Sequence, residues 1–194
     1  METLDAEKWT YQDMLKNLPA DSCYELINNE LYEMPASNTE HQRIALKMVN
    51  KLFLFVENKS IGEAFIAPYD VRLDYDNVIQ PDILFIKNDN LENVTEKCFV
   101  GVPDLVVEII SPKSVYRDQV EKKDLYERFG VQEYWVIDPA NQVIEVMYLE
   151  KLEYVLKDYL VEKGIVKSVL LNGFEVKGEE IFSIKNKLCT NCTH

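Results

Sequence analysis

Behind Ser37-Asn38-Thr39-Glu40, which has the spacing of a capping box, His41, Ala45, Met48, Val49, Leu52, Phe55 and Val56 recur at steps of three and four. This spacing predicts an amphipathic helix that carries His41 in its first turn, in phase with the apolar stripe. A shorter helix is expected from Trp9 to Leu18 with Thr10 as its cap, and another from about Arg117 to Phe129, stopped by Gly130. Tyr24–Ile27 and Glu30–Met34 flank Asn28-Asn29; because Asn tolerates positive φ, this reads as a β-hairpin. After Gly62 come strand-like runs at Ala64–Ala67, Tyr69–Leu73, Ile79–Ile86, Leu105–Ile110, Tyr134–Ile137, Val143–Tyr148 and Tyr154–Val161. The order of helix, hairpin, helix, strands, helix, strands predicts an α+β or mixed-sheet α/β domain.

At 194 residues, with no repeat or linker-like tract, the chain reads as one domain over residues 1–184 with a loose tail over 185–194. No apolar run approaches the roughly 18 residues of a membrane span. The amino-terminal residues lack a secretory signal, so the expected compartment is cytoplasmic and no membrane partner is expected. The net charge of −13 argues against a plain polyanion binder, although a local site with a bound divalent cation can oppose the global charge. In that setting the four cysteines read as free thiols. Cys189 and Cys192 with His194 have the spacing of half a zinc site, but no second Cys/His cluster completes it.

Candidate chemistry comes from polar residues where the pattern asks for apolar ones. Alternation along Gln80–Ile86 puts Asp82 on the side of Leu84 and Ile86. Glu108 interrupts Leu105–Ile110, a run so apolar that both faces are expected to be covered. An ion pair or backbone amides would satisfy such an acid. Two acids on neighbouring strands repel unless a cation or a proton lies between them. On the later helix, Asp118, Lys122, Leu125, Tyr126 and Phe129 share one stripe, which turns Lys122 inward and Lys123 toward water. His41 is either a satisfied core histidine or an orienting group, and Glu25 either a member of the cluster or an exposed hairpin acid. Two strand acids and a lysine suit magnesium, which takes one or two carboxylates and completes its shell with water and phosphate oxygens. The chemistry that follows is phosphodiester hydrolysis.

The ordered series Tyr24-Glu25-Leu26-Ile27, Glu40-His41-Gln42, Ala67-Pro68-Tyr69-Asp70-Val71, Gln80-Pro81-Asp82, Pro103–Pro112, Asp118 with Lys122 and Tyr126, and Gly130–Pro139 resembles the Uma2 family of restriction-endonuclease-like proteins. The resemblance runs from about Tyr11 to about Tyr159 and implies the PD-(D/E)xK nuclease fold: a restriction-endonuclease-like mixed β-sheet flanked by helices, here with an amino-terminal hairpin. It implies that Asp82 and Glu108 are metal ligands for Mg2+ or Mn2+, that the substrate is DNA and that the protein is a homodimer. The general nuclease pattern has lysine two residues after its second acid, where this chain has Ile110; Lys122 fits the position to which the family moves that lysine. Glu25 and His41 match accessory catalytic positions, Asp118 and Tyr126 support Lys122, and Gln80 is placed near the scissile region. Two other readings stand beside a metal-dependent endonuclease: a catalytically silent binding module that docks a basic partner, and a soluble protein whose acids and lysine form a buried ion network. On the helix face, Lys113 and Arg117 are candidate phosphate contacts interleaved with acids.

Overall fold

A computed structural model describes residues 8–19, 23–34, 36–111 and 120–183. The predicted tail, Cys189, Cys192, His194, Lys113, Arg117 and Asp118 all lie outside the described residues. Helix α1 (Tyr11–Asn17) opens on Thr10, whose hydroxyl and main-chain N–H exchange hydrogen bonds with Asp13 in a complete capping box. Strands β1 (Tyr24–Ile27) and β2 (Glu30–Glu33) form the predicted hairpin, with Asn28 and Asn29 at φ 53° and 67°. Helix α2 (Thr39–Lys59) follows; its cap is Asn38, whose side chain accepts from the His41 N–H, and not the Ser37 box that the spacing predicts.

The remaining elements are β3 (Gly62–Ile66), β4 (Asp70–Arg72), β5 (Val78–Ile79), β6 (Ile83–Lys87), a 3₁₀ helix (Asn88–Asn93), β7 (Cys98–Val100), β8 (Leu105–Ile109), α3 (Lys122–Phe129), β9 (Glu133–Asp138), β10 (Val143–Glu150), β11 (Glu153–Val161), β12 (Ile165–Lys167), β13 (Glu175–Lys177) and α4 (Gly178–Phe182). They build a mixed α+β fold. One six-stranded sheet has the order β11-β10-β9-β8-β6-β3, a five-stranded sheet the order β2-β1-β5-β4-β7, and β12 and β13 pair by themselves. The run Ile79–Ile86 is therefore two strands in two sheets. Pro81 has no N–H for a ladder, so the chain leaves one sheet at Gln80 and enters the other after Asp82.

Strand β8 lies inside the large sheet, antiparallel to β6 and parallel to β9, and all five of its residues are buried. Leu105, Val107 and Ile109 join α2, β9, β10 and the carboxy-terminal strands in one core, whereas Val106 and Ile110 join Leu125, Tyr126 and Val131 in a second on the opposite face. A third, small cluster packs Leu26 and Val78 under Tyr11 and Met14 of α1. Gly62 lets β3 come close to β6: a Cβ there would lie 2.1 Å from the Ile86 carbonyl oxygen, at a φ of 154°. Lys122 is fully buried as its phase requires, whereas Lys123, expected to face water, is half-buried.

Candidate active site

The site forms where the two sheets meet. β6 and β8 pair Ile83 with Val107 and Leu84 with Val106, so extending the register by one residue sets Asp82 opposite Glu108. Both acids leave the sheet on the face of Leu84 and Val106, toward α3. The Ile109 N–H donates to Asp82 Oδ2 at 2.7 Å, and His41 Nε2 lies 3.1 Å from the same oxygen. Asp82 Oδ1 has no hydrogen-bond partner among the described residues, and the side chain is 18% exposed. His41 is almost fully buried, so the first turn of α2 closes one wall over the start of β6.

Glu108 is held from α3. Lys122 Nζ stands 2.7 Å from Glu108 Oε1, and the Tyr126 hydroxyl, one turn further along the helix, donates to that oxygen at 2.5 Å. The same ammonium lies 2.9 Å from Glu25 Oε1. Hairpin alternation explains how Glu25 arrives there: Leu26 points into the α1 cluster, and Glu25 takes the other face of β1. The Gln80 N–H donates to Glu25 Oε1 at 2.9 Å, and the Gln80 side-chain amide donates to Asp70 Oδ1 at 2.8 Å. Glu25 Oε2 is buried with no hydrogen-bond partner.

The electrostatics follow from burial. Lys122, Glu25 and Glu108 are between 0% and 3% exposed at their side chains, so one ammonium is shut in with two carboxylates. Burying two carboxylates together is costly unless cations or protons lie close, and Lys122 supplies one such charge to both. Burial, and then the negative charge of Glu108, push the Tyr126 phenol well above its ordinary range, so it remains a neutral donor. The Asp70 carboxyl is also raised, first by burial and then by Glu25, with the Gln80 hydrogen bond acting the other way.

The structure thus gathers Glu25, His41, Gln80, Asp82, Glu108, Lys122 and Tyr126. The cation between acids is Lys122, and it bridges Glu108 to Glu25; Asp82 is held separately, by His41 and a main-chain N–H. Sequence reasoning passed over Asp70, and it also passed over Glu133, a fully buried acid away from this site. Glu133 accepts from Trp135 Nε1, the Ser168 hydroxyl and the N–H groups of Val169 and Leu170 at 2.6–2.7 Å. Strand phase would have found it, because Glu133 shares a face with Trp135 and Ile137.

The donor set suits a hard divalent ion. Asp82, its side chain 18% exposed, offers an oxygen with no hydrogen bond among the described residues, and magnesium takes one or two carboxylates while keeping waters. Among the described residues no group of three or more His, Cys, Asp or Glu side chains could hold a metal by itself, so water and phosphate oxygens would have to complete the shell.

Two mixed sheets flanked by helices, with Lys122 of α3 joining Glu25 of one sheet to Glu108 of the other, make this a mixed α+β domain. Its fold is similar to that of a solved "putative nuclease belonging to DUF820" from Anabaena variabilis ATCC 29413, with a TM-score of 0.74 at 20% identity over 90% of this chain and 97% of that one. The profile of Uma2, described as "Putative restriction endonuclease", matches residues 10–179, and the chain belongs to that family. No functionally curated protein matches it in sequence. No described helix is long and apolar enough to cross a membrane.

Proposed function

We propose that this protein is a Mg2+- or Mn2+-dependent DNA endonuclease that hydrolyses phosphodiester bonds, with Asp82 and Glu108 as the metal ligands. The observation that carries this reading is the Lys122 ammonium, 1% exposed, held between Glu25 and Glu108 on β8, whose next residue, Ile109, donates its N–H to Asp82. The metal would supply Lewis-acid charge at the scissile phosphate.

Everything else is work for the chain's own side chains. The Ile109 N–H and His41 fix Asp82 through Oδ2 and leave Oδ1 available as a ligand. Lys122 and Tyr126 both engage Glu108 Oε1, which fixes the rotation of that carboxylate. Lys122 itself is positioned by Glu25, whose carboxylate is fixed in turn by the Gln80 main chain. A preorganised ammonium orients the attacking water by hydrogen bonding and stabilises negative charge as it develops on the phosphoryl oxygens. Because neither needs to reorganise during the reaction, both effects lower the barrier.

Plasmid cleavage tests the reading directly. Supercoiled DNA incubated with the protein and Mg2+, then Mn2+, is expected to be nicked or linearised. Asp82→Ala and Glu108→Gln are expected to lose at least a hundredfold in rate while keeping the folded circular-dichroism spectrum. The charge of −13 favours a second reading, a catalytically silent binding module whose acidic surface docks a basic partner. No cleavage by the intact protein with either ion, together with no rise in melting temperature specific to a divalent ion, would establish that reading instead.

A further inference from the structure

Helix α2 has two apolar sides and only one of them is covered. Ile44, Ala45, Met48, Leu52 and Val56 face the core. On the opposite side Arg43, Leu46, Asn50, Phe53, Leu54 and Glu57 are exposed and fall within a stripe about 100° wide at the helical period. Leu46 is 66% exposed, Phe53 48% and Leu54 52%. A helix face turned to water is ordinarily polar, and three large apolar side chains in one stripe mark a contact surface.

The charges on that stripe specify the occupant. The other lysines of the helix are tied down within the chain: Lys47 donates to the Ile181 and Ser183 carbonyl oxygens, Lys51 pairs with Glu180, and Lys59 donates to the Asn172 carbonyl oxygen. Arg43 and Glu57 make no ion pair with any described residue. Glu57 also stands in the last turn, where the helix dipole disfavours an acid, so local helix energetics do not account for it.

Arg43 and Glu57 lie equally far from Asn50 on either side, as do Leu46 and Leu54. The geometry points to a twofold interface between two copies of this chain, in which the outer faces of α2 pack antiparallel about Asn50. Arg43 of each copy then meets Glu57 of the other, Leu46 meets Leu54, and the two Asn50 side chains meet at the axis. A self-complementary surface of this kind is what a twofold dimer requires. A parallel pairing would set like charges together and oppose no Leu46 to Leu54. His41 lies on the core side of the helix, so dimerisation leaves both candidate sites open. The interface is independent of the catalytic reading, because a silent protein would pair in the same way.

Sedimentation velocity of the intact protein over a wide concentration range tests it, with variants at these exposed positions checked for fold by thermal melting. The native protein is expected to dimerise reversibly. Arg43→Glu and Glu57→Arg are each expected to raise the dissociation constant tenfold or more at low salt, since two pairs per dimer change from attraction to repulsion. The Arg43→Glu/Glu57→Arg double variant is expected to recover native affinity, and Leu46→Asp/Leu54→Asp to sediment as a monomer. A native protein that stays monomeric at several hundred micromolar overturns the interface. So does a dimer indifferent to these changes, or a double reversal that fails to recover what the single reversals lose.

Discussion

Lys122 is the residue on which the site turns, because its ammonium pairs with two buried carboxylates. Removing one partner of a buried charge network is far more damaging than replacing the whole network, since the remaining charges stay desolvated. Lys122→Met keeps the length and apolar stem of the side chain, so it isolates the ammonium. It is expected to cost about 3–5 kcal/mol, a fall in melting temperature of roughly 6–20 °C for a chain of this size, measured by calorimetry at neutral pH. A change within one or two degrees would mean that Glu25 and Glu108 do not carry the charge their pairing with Lys122 requires. The inward turn of Lys122 was legible from its phase with Leu125 and Tyr126, and the anomaly of Glu108 from the apolar run around it. The contact between His41 and Asp82 was not, because it joins residues 41 positions apart through a helix–strand approach that no local pattern encodes.

At the scale of elements, β12, β13 and α4 are fastened to the large sheet through Glu133 at the start of β9. Its carboxylate accepts from four donors, and Glu133→Gln would turn an amide NH2 toward some of them. The expected loss is about 3 kcal/mol, or roughly 6–12 °C in melting temperature, with plasmid cleavage at 25 °C unchanged. Proteolysis that begins within residues 163–183 of the variant would locate the loosening; a melt identical to the native one would show that Glu133 anchors nothing. Short-range chemistry made some elements readable in advance: a two-residue Asn-Asn turn demands the positive φ found at both positions, and Thr10 can exchange hydrogen bonds with Asp13 only as a cap. Elements that depend on distant partners were not readable. β7 is three residues long and exists as a strand because β4 runs parallel beside it. The break at Gln80-Pro81 carried a visible signal in the proline, but hydrophobicity on either side of it reads as one continuous strand.

For the whole molecule, the question is how a chain of net charge −13 can meet a polyanion at all. Summed charge at that level repels DNA at long range, and salt screens the repulsion beyond a Debye length of about 10 Å at 0.1 M. Salt also screens self-repulsion within the folded protein, so part of any shift in melting temperature on adding a magnesium salt is general screening. A divalent ion bound at Asp82 and Glu108 must do more than that screening accounts for. With a dissociation constant near 1 mM, 10 mM Mg2+ contributes about 1.4 kcal/mol, or roughly 3–6 °C, beyond a sodium chloride control of equal ionic strength. The excess is expected to vanish in Asp82→Ala, which keeps the rest of the acidic surface and therefore the whole of the screening effect. Equal shifts in the native protein and the variant would assign the response to the surface, and the opposed carboxylates would then hold no ion in the absence of DNA.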